Sequence, residues 1–188
     1  MNDELIRIEL EHIRRVFSES DRGCMLLTGA SLDDSLGLLH KSHIGSVVPA
    51  SKKLLKELFR PYAPLSSFKS RIDLAYAYGL ISQEDRDDLE VIRELRNEAA
   101  HTTNDFTFQS EEIRTRVLKL RAGHRAPEEL PRFKRMLTPE DLKALDAPDR
   151  NVKMFLVING MSLTSMMFMR QAVKAVIENF ARGQHSKE

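Results

Sequence analysis

SQEDRDDLEVIRELRNEAAH, Ser82 to His101, is the stretch on which the reading of this chain turns. Ser82 is a good N-cap, and Glu84, Asp85, Asp87 and Asp88 follow it where the positive end of a helix dipole favours negative charge. No Gly or Pro interrupts the run, so the spacing predicts one continuous helix. At about 100° per residue, Leu89, Ile92, Leu95, Ala99 and Ala100 fall on one broad apolar face. Arg96 projects inside that face, between Leu89 and Ile92, and Asn97 and His101 lie one turn apart on its flank.

That polar cluster has two readings. In the structural one, Arg96 is neutralised by a carboxylate from another helix, Asn97 binds backbone, and His101 caps the helix C-terminus. In the catalytic one, Arg96 stabilises a phosphoryl charge and His101 acts as acid or base, the pair that metal-independent RNA cleavage needs.

Upstream, Ser66 and Ser67 open FKSRIDLAYAYGL, with Phe68, Ile72, Ala75, Tyr76 and Leu80 on one side and Gly79 in C-cap position. A tight turn then joins two helices, which invites a helix-turn-helix reading. Charge argues against it: Gln83, Glu84, Asp85, Asp87 and Asp88 would meet phosphate with repulsion, so direct DNA reading by this helix is not expected.

Further upstream, Ser20 or Asp21 caps DRGCMLLTGASLDDSLGLLHK, apolar nearly all round, with Gly29, Ala30 and Gly37 for close packing. This is the pattern of a central buried helix. Asp33 lies on the row of Leu26, Ala30 and Gly37; a buried carboxylate needs a counter-charge, and a buried ion pair of Asp33 with Arg96 is expected, or Asp73 in the same role. SHIGSVVPA reads as a loop, Ser51 as the cap of a short helix through Phe59, and RPYAP as its end. The first residues, about Asn2 to Ser18, read as an amphipathic helix.

Downstream, Ser110 with Glu111 and Glu112 starts a helix whose core face is Ile113, Val117 and Leu120. From here runs the one basic region: Arg114, Arg116, Lys119, Arg121, Arg125, Arg132, Lys134 and Arg135, against Glu128 and Glu129. Gly123, Pro127 and Pro131 make much of it a connection, either solvated or in contact with RNA, DNA or an acidic protein. Thr138 caps a short PEDLKAL helix. Residues 150–182 are the most apolar part, shorter in their uncharged run than a membrane span and read as a core or interface helix, with VKMFLVI as a strand the alternative. Met154, Met161, Met166, Met167 and Met169 suit either core packing or an adaptable partner surface.

With 188 residues, the chain suits one domain with a real core. Twenty-nine basic against 28 acidic residues leave a net charge of +1, so no global field recruits nucleic acid or membrane. The single cysteine, Cys24, excludes an internal disulfide and reads as a buried thiol. The N-terminus lacks a signal-peptide core, which points to the cytoplasm. No phosphate loop, serine-nucleophile motif or metal-spaced His/Cys set is present, and His40 with His43 would need a further ligand from elsewhere, so neither cofactor nor metal is expected.

Three blocks in this order, DRGCMLLTGASLDDSLGLL, PLSSFKSRIDLAYAYGLIS and LEVIRELRNEAAH, resemble the mannitol operon repressor family over about Asp21 to Phe108. The resemblance implies an all-helical transcriptional regulator of a mannitol-uptake operon without an obvious DNA-reading motif, acting through a protein partner. The end of the third block also resembles the motif of HEPN domains, whose nuclease members pair two such motifs across a dimer. That likeness implies Arg96 for phosphate charge, His101 for proton transfer and Asn97 for orientation, and RNA as a substrate or ligand. A dimer formed on the apolar stripe around Arg96 would suit both likenesses.

The expectation is therefore an all-α, multi-helix bundle of about seven helices in one domain. Residues 1–108 carry the family likeness, 109–149 are a basic connecting region, and 150–182 form a long apolar helix. The expected function is repressor-like regulation through protein contacts as a homodimer; the alternatives are a HEPN-type ribonuclease or RNA-binding protein, and a non-catalytic scaffold.

Overall fold

A computed structural model describes residues 11, 15–47, 52–122 and 152–167. Among these residues every regular element is helical, and no strand is formed. The elements are α1 (Asp21–Val47), α2 (Lys52–Leu58), α3 (Phe68–Ala77), α4 (Gln83–His101), α5 (Glu111–Leu118) and α6 (residues 152–167).

Three of the starts are set locally. Ser20 Oγ accepts the Gly23 amide at 3.1 Å and caps α1. Ser67 and Ser82 head α3 and α4 in reciprocal capping boxes with Ser70 and Asp85. The end of α3 is a Schellman motif: Gly79, at φ 65°, lets its amide bond to the Tyr76 carbonyl at 2.9 Å while the Leu80 amide reaches the Ala75 carbonyl at 2.8 Å. Leu80 is thereby turned into the core, and α4 starts three residues later.

The central element is α1, as its nearly all-round apolar pattern predicts. Cys24, Met25, Leu32, Leu36 and Leu39 are buried in one cluster with Ile72 and Ala75 of α3, and with Leu89, Ile92, Leu95 and Ala99 of α4. Ile113 and Val117 of α5 and Leu156 and Leu163 of α6 complete it. Each large aliphatic side chain so enclosed contributes about 1.5–3 kcal/mol relative to exposure. Ala100, expected on the buried stripe, is exposed. The VKMFLVI stretch is helical over the residues described, with Met154 and Met167 buried in the core.

One expectation at the end of α1 is corrected. SHIGSVVPA does not begin as a loop: α1 runs on through Val47, because Gly45 sits in the exposed last turns where a lone glycine is a small penalty. At the other end, Asp21 binds two parts of the chain. Its carboxylate accepts the Phe108 amide at 2.8 Å and the Thr107 hydroxyl at 3.1 Å, and it pairs with Lys153 of α6 at 3.2 Å. The amphipathic first helix, apart from residues 11 and 15–18 with Val16 and Phe17 buried, and the PEDLKAL helix lie outside the described residues.

Candidate functional site

The polar cluster sits where α4 crosses α1 at Gly29. A β-carbon at Gly29 would lie 2.7 Å from Arg96 Cγ and 3.0 Å from Arg96 Cβ, so glycine there is what lets the arginine stem lie flat on α1. The stem is packed against α1 and the residue as a whole is partly buried, so an arginine on an apolar stripe is accommodated by laying its carbons on the neighbouring helix. Arg96 Nη1 donates to Asn97 Oδ1 at 3.2 Å, and His101 is exposed one turn on. The cation that secures the C-terminal end of α4 is neither of these. Arg22 of α1 donates to the Thr102 carbonyl at 3.1 Å and the Asn104 carbonyl at 2.6 Å, where the helix dipole favours positive charge.

The expected Asp33 and Arg96 pair does not form. Asp33 Oδ1 is held by Arg71 Nη1 of α3 at 2.6 Å, and Arg71 also donates through Nε to the Leu65 carbonyl at 2.9 Å. The reason is how each side chain is used: the Arg96 stem lies on Gly29 and its Nη1 turns to Asn97, whereas the Arg71 guanidinium comes within 3.8 Å of a β-carbon built on Gly37, one turn beyond Asp33. Burial pushes the Asp33 carboxyl up, opposed by the Arg71 charge; Arg96 is the weakest of the influences on it. Asp73 does not take the role either, being bound to Lys69 at 2.8 Å and Arg86 at 3.0 Å.

The helix-turn-helix reading fails on geometry as well as charge. Asp85 is consumed by the capping box, and Asp88, buried, accepts the Arg121 and Ala122 amides at 2.8 Å each. The first two turns of α4 thus hold its neighbours in place. The same acids disperse the expected basic patch. Arg116 bonds Glu98 at 2.9 Å and Glu94 at 3.2 Å, and Arg121 bonds Asp87 at 2.8 Å, so these two cations are satisfied inside the fold. Arg114 and Lys119 are exposed, and Arg125, Arg132, Lys134 and Arg135 lie outside the described residues.

A different basic cluster is present that the sequence reading did not single out. Lys41 of α1, Lys52 and Lys56 of α2, and Arg60 in the following turn line an open cleft of about 510 Å³ with Leu55 and Phe59 at its base. The available signal was the four-residue spacing of Lys52, Lys56 and Arg60, which stacks them on one side of a short helix. Lys41 comes from another element and only the fold brings it in, with Nζ 4.8 Å from the Phe59 ring centre. Among the described residues no group of His, Cys, Asp and Glu is arranged to hold a metal ion, and no helix is long and apolar enough to cross a membrane. His40 Nε2 is engaged with the Arg71 carbonyl at 2.8 Å.

Comparison with known proteins now bears on this architecture. No curated protein matches the sequence. Among solved structures, the X-ray structure of the MtlR-HPr complex from Escherichia coli contains a chain of similar fold: TM-score 0.61, covering 84% of this chain and 98% of that one, at 18% sequence identity. A likeness at that identity speaks for the shared helical fold. The model of the mannitol repressor family, MtlR, matches residues 46–170, and so reaches through the C-terminal third where the sequence reading found only a generally apolar helix. With more than half of its residues matched by that family model, this chain belongs to the mannitol repressor family.

Proposed function

We propose that the chain regulates transcription through a protein partner rather than by reading DNA itself. The observation that carries this reading is the commitment of α4: the helix that a helix-turn-helix would insert into a groove opens with acids, two of which are buried in internal bonds. The structural relative was solved bound to HPr, and a protein of that kind is the partner to try first. In this reading the protein works in the cytoplasm as a homodimer. Its dimer contact uses a surface other than the α4 stripe, because Leu89, Ile92 and Leu95 are enclosed within a single chain.

The test pairs two titrations of the full chain. Calorimetry against HPr should give a saturable complex, while a gel shift with mannitol-operon promoter DNA at about 150 mM salt should show no sequence-specific band for the chain alone. A specific band without any partner would sink the reading.

A second reading keeps a foothold in one observation. Arg96 is not locked to Asp33 and, with Asn97, is only partly buried, while His101 is exposed one turn on, so Arg96, Asn97 and His101 stand together at the surface edge of α4. Incubation with single-stranded RNA in the absence of metal, alongside His101→Ala, decides it. Cleavage by the native chain and none by the folded variant would make the cluster catalytic; intact RNA in both would retire that role.

A further inference from the structure

Several cations described on this fold are paired with carboxylates. Lys69, Arg71, Arg86, Arg93, Arg116, Arg121 and Lys153 are all ion-paired. Lys41, Lys52, Lys56 and Arg60 are set apart by their grouping: among the described residues none of the four has an acidic partner, and all are exposed around one cleft. Four like charges held around one concavity repel one another and concentrate positive potential there. The base is apolar, made by Leu55 and by Phe59, whose ring has Lys41 Nζ at 4.8 Å and the Arg71 guanidinium at 5.3 Å. An anionic occupant with an apolar part fits such a cleft.

The neighbouring turn says what kind of occupant. Arg60 leads into Pro61, Tyr62, Ala63 and Pro64, and Tyr62 stands wholly in solvent at φ 65°, a left-handed conformation that an aromatic residue rarely adopts. The turn is pinned by the Ala63 amide on the Arg60 carbonyl at 3.0 Å and the Leu65 amide on the Leu58 carbonyl at 2.9 Å. A rigidly presented tyrosine with few rotamers is the side chain from which interface anchors are made. A small phosphorylated molecule in the cleft would leave this exposed ring, which is not part of the cleft lining, in solvent, whereas a polypeptide running from cleft to turn would enclose it.

We propose that the cleft between α1 and α2, together with Tyr62, is a docking site for an acidic segment of a partner protein. Its carboxylates meet Lys41, Lys52, Lys56 and Arg60, an apolar side chain lies on Leu55 and Phe59, and Tyr62 is buried in the partner. The site is argued from charge and geometry alone and stands whether or not HPr is a partner.

The probe is a fluorescein-labelled peptide of about twelve residues, rich in Asp and Glu around a central Leu, titrated by anisotropy into the full chain at about 50 and 200 mM salt. The expected result is saturable one-to-one binding that weakens with salt. Substituting Lys52→Glu, Lys56→Glu and Arg60→Glu together should weaken it about tenfold or more, whereas Arg114→Glu with Lys119→Glu should leave it unchanged. Tyr62→Gly supplies the second arm: glycine accepts the left-handed turn, so the variant should melt no lower than the native chain yet bind at least about threefold more weakly. No binding, equal loss in both charge variants, or full affinity in Tyr62→Gly would overturn the proposal. So would a single-stranded RNA of matched charge displacing the peptide through the same cations, which would assign the cleft to nucleic acid.

Discussion

Arg71 is the residue on which most of the internal polar structure depends. Its guanidinium holds Asp33 of α1 and the Leu65 carbonyl of the preceding turn, and its own carbonyl receives His40. Replacing it with Ala leaves Asp33 half-buried without a counter-charge and frees the turn before α3. We expect Arg71→Ala to cost about 2–4 kcal/mol in urea unfolding, and Arg96→Ala, which loses packing on Gly29 and one bond to Asn97, about 1 kcal/mol. The reverse order would mean that Arg96 is the structural arginine after all. That choice between two arginines was not legible in the sequence. The rows of a helical wheel showed that Asp33 needs a cation, but which of two arginines reaches it depends on how each side chain lies on α1. Cys24, by contrast, was legible from its apolar neighbours: burial drives its thiol up to about 12, and it should resist thiol reagents at pH 8 until the chain unfolds. Rapid labelling of the native protein would contradict the enclosure.

At the scale of the element, α4 joins the structure to itself at both ends. Ser82 and Asp85 close its N-terminus, Asp88 binds the backbone after α5, and Arg22 binds the chain just past its C-terminus. Its existence and bounds could be read from a capping signal and an apolar period because those are local properties. What the acids of its first turns do was not local, since their partners are 33 and 34 residues away. Asp88→Asn keeps the size and one acceptor oxygen but removes the charge shared by two amides and the Arg121 guanidinium. A loss of about 1–3 kcal/mol is expected, larger than for Asp87→Asn, whose bond to Arg121 is at the surface. Equal effects would show that Asp88 serves only as another surface acid. The basic cleft was hidden for the same reason as the partners of Asp88: its cations come from α1, α2 and a turn, and only Lys52, Lys56 and Arg60 share a period.

For the molecule as a whole, the buried polar groups set how it answers to pH. His40 is fully enclosed, its Nε2 faces the Arg71 carbonyl, its ring meets Tyr78 edge-on at 6.4 Å, and Nδ1 has no hydrogen-bond partner. Burial lowers its proton affinity below the ordinary value of 6.5, against the pull of the Arg71 carbonyl and with the positive charges of His43 and Arg71 adding to the depression. The unfolded chain therefore takes up a proton near pH 6.5 that the native chain refuses, so the stability His40 contributes is complete above that pH and is lost as pH falls through it. Asp33 works in the opposite sense lower down: its carboxyl is raised above 3.8, so the native chain binds that proton more readily, and acidification through the carboxylate range recovers some stability. The melting temperature should accordingly decline between pH 7.5 and pH 5.5, and His40→Gln, whose amide can still donate to the Arg71 carbonyl but does not titrate, should flatten that decline. Because α1 carries His40 as well as the crossing points of α3 and α4, the loss should be felt as one cooperative transition moving down in temperature. An unchanged slope in His40→Gln would mean that the pH response is carried by groups other than the enclosed imidazole.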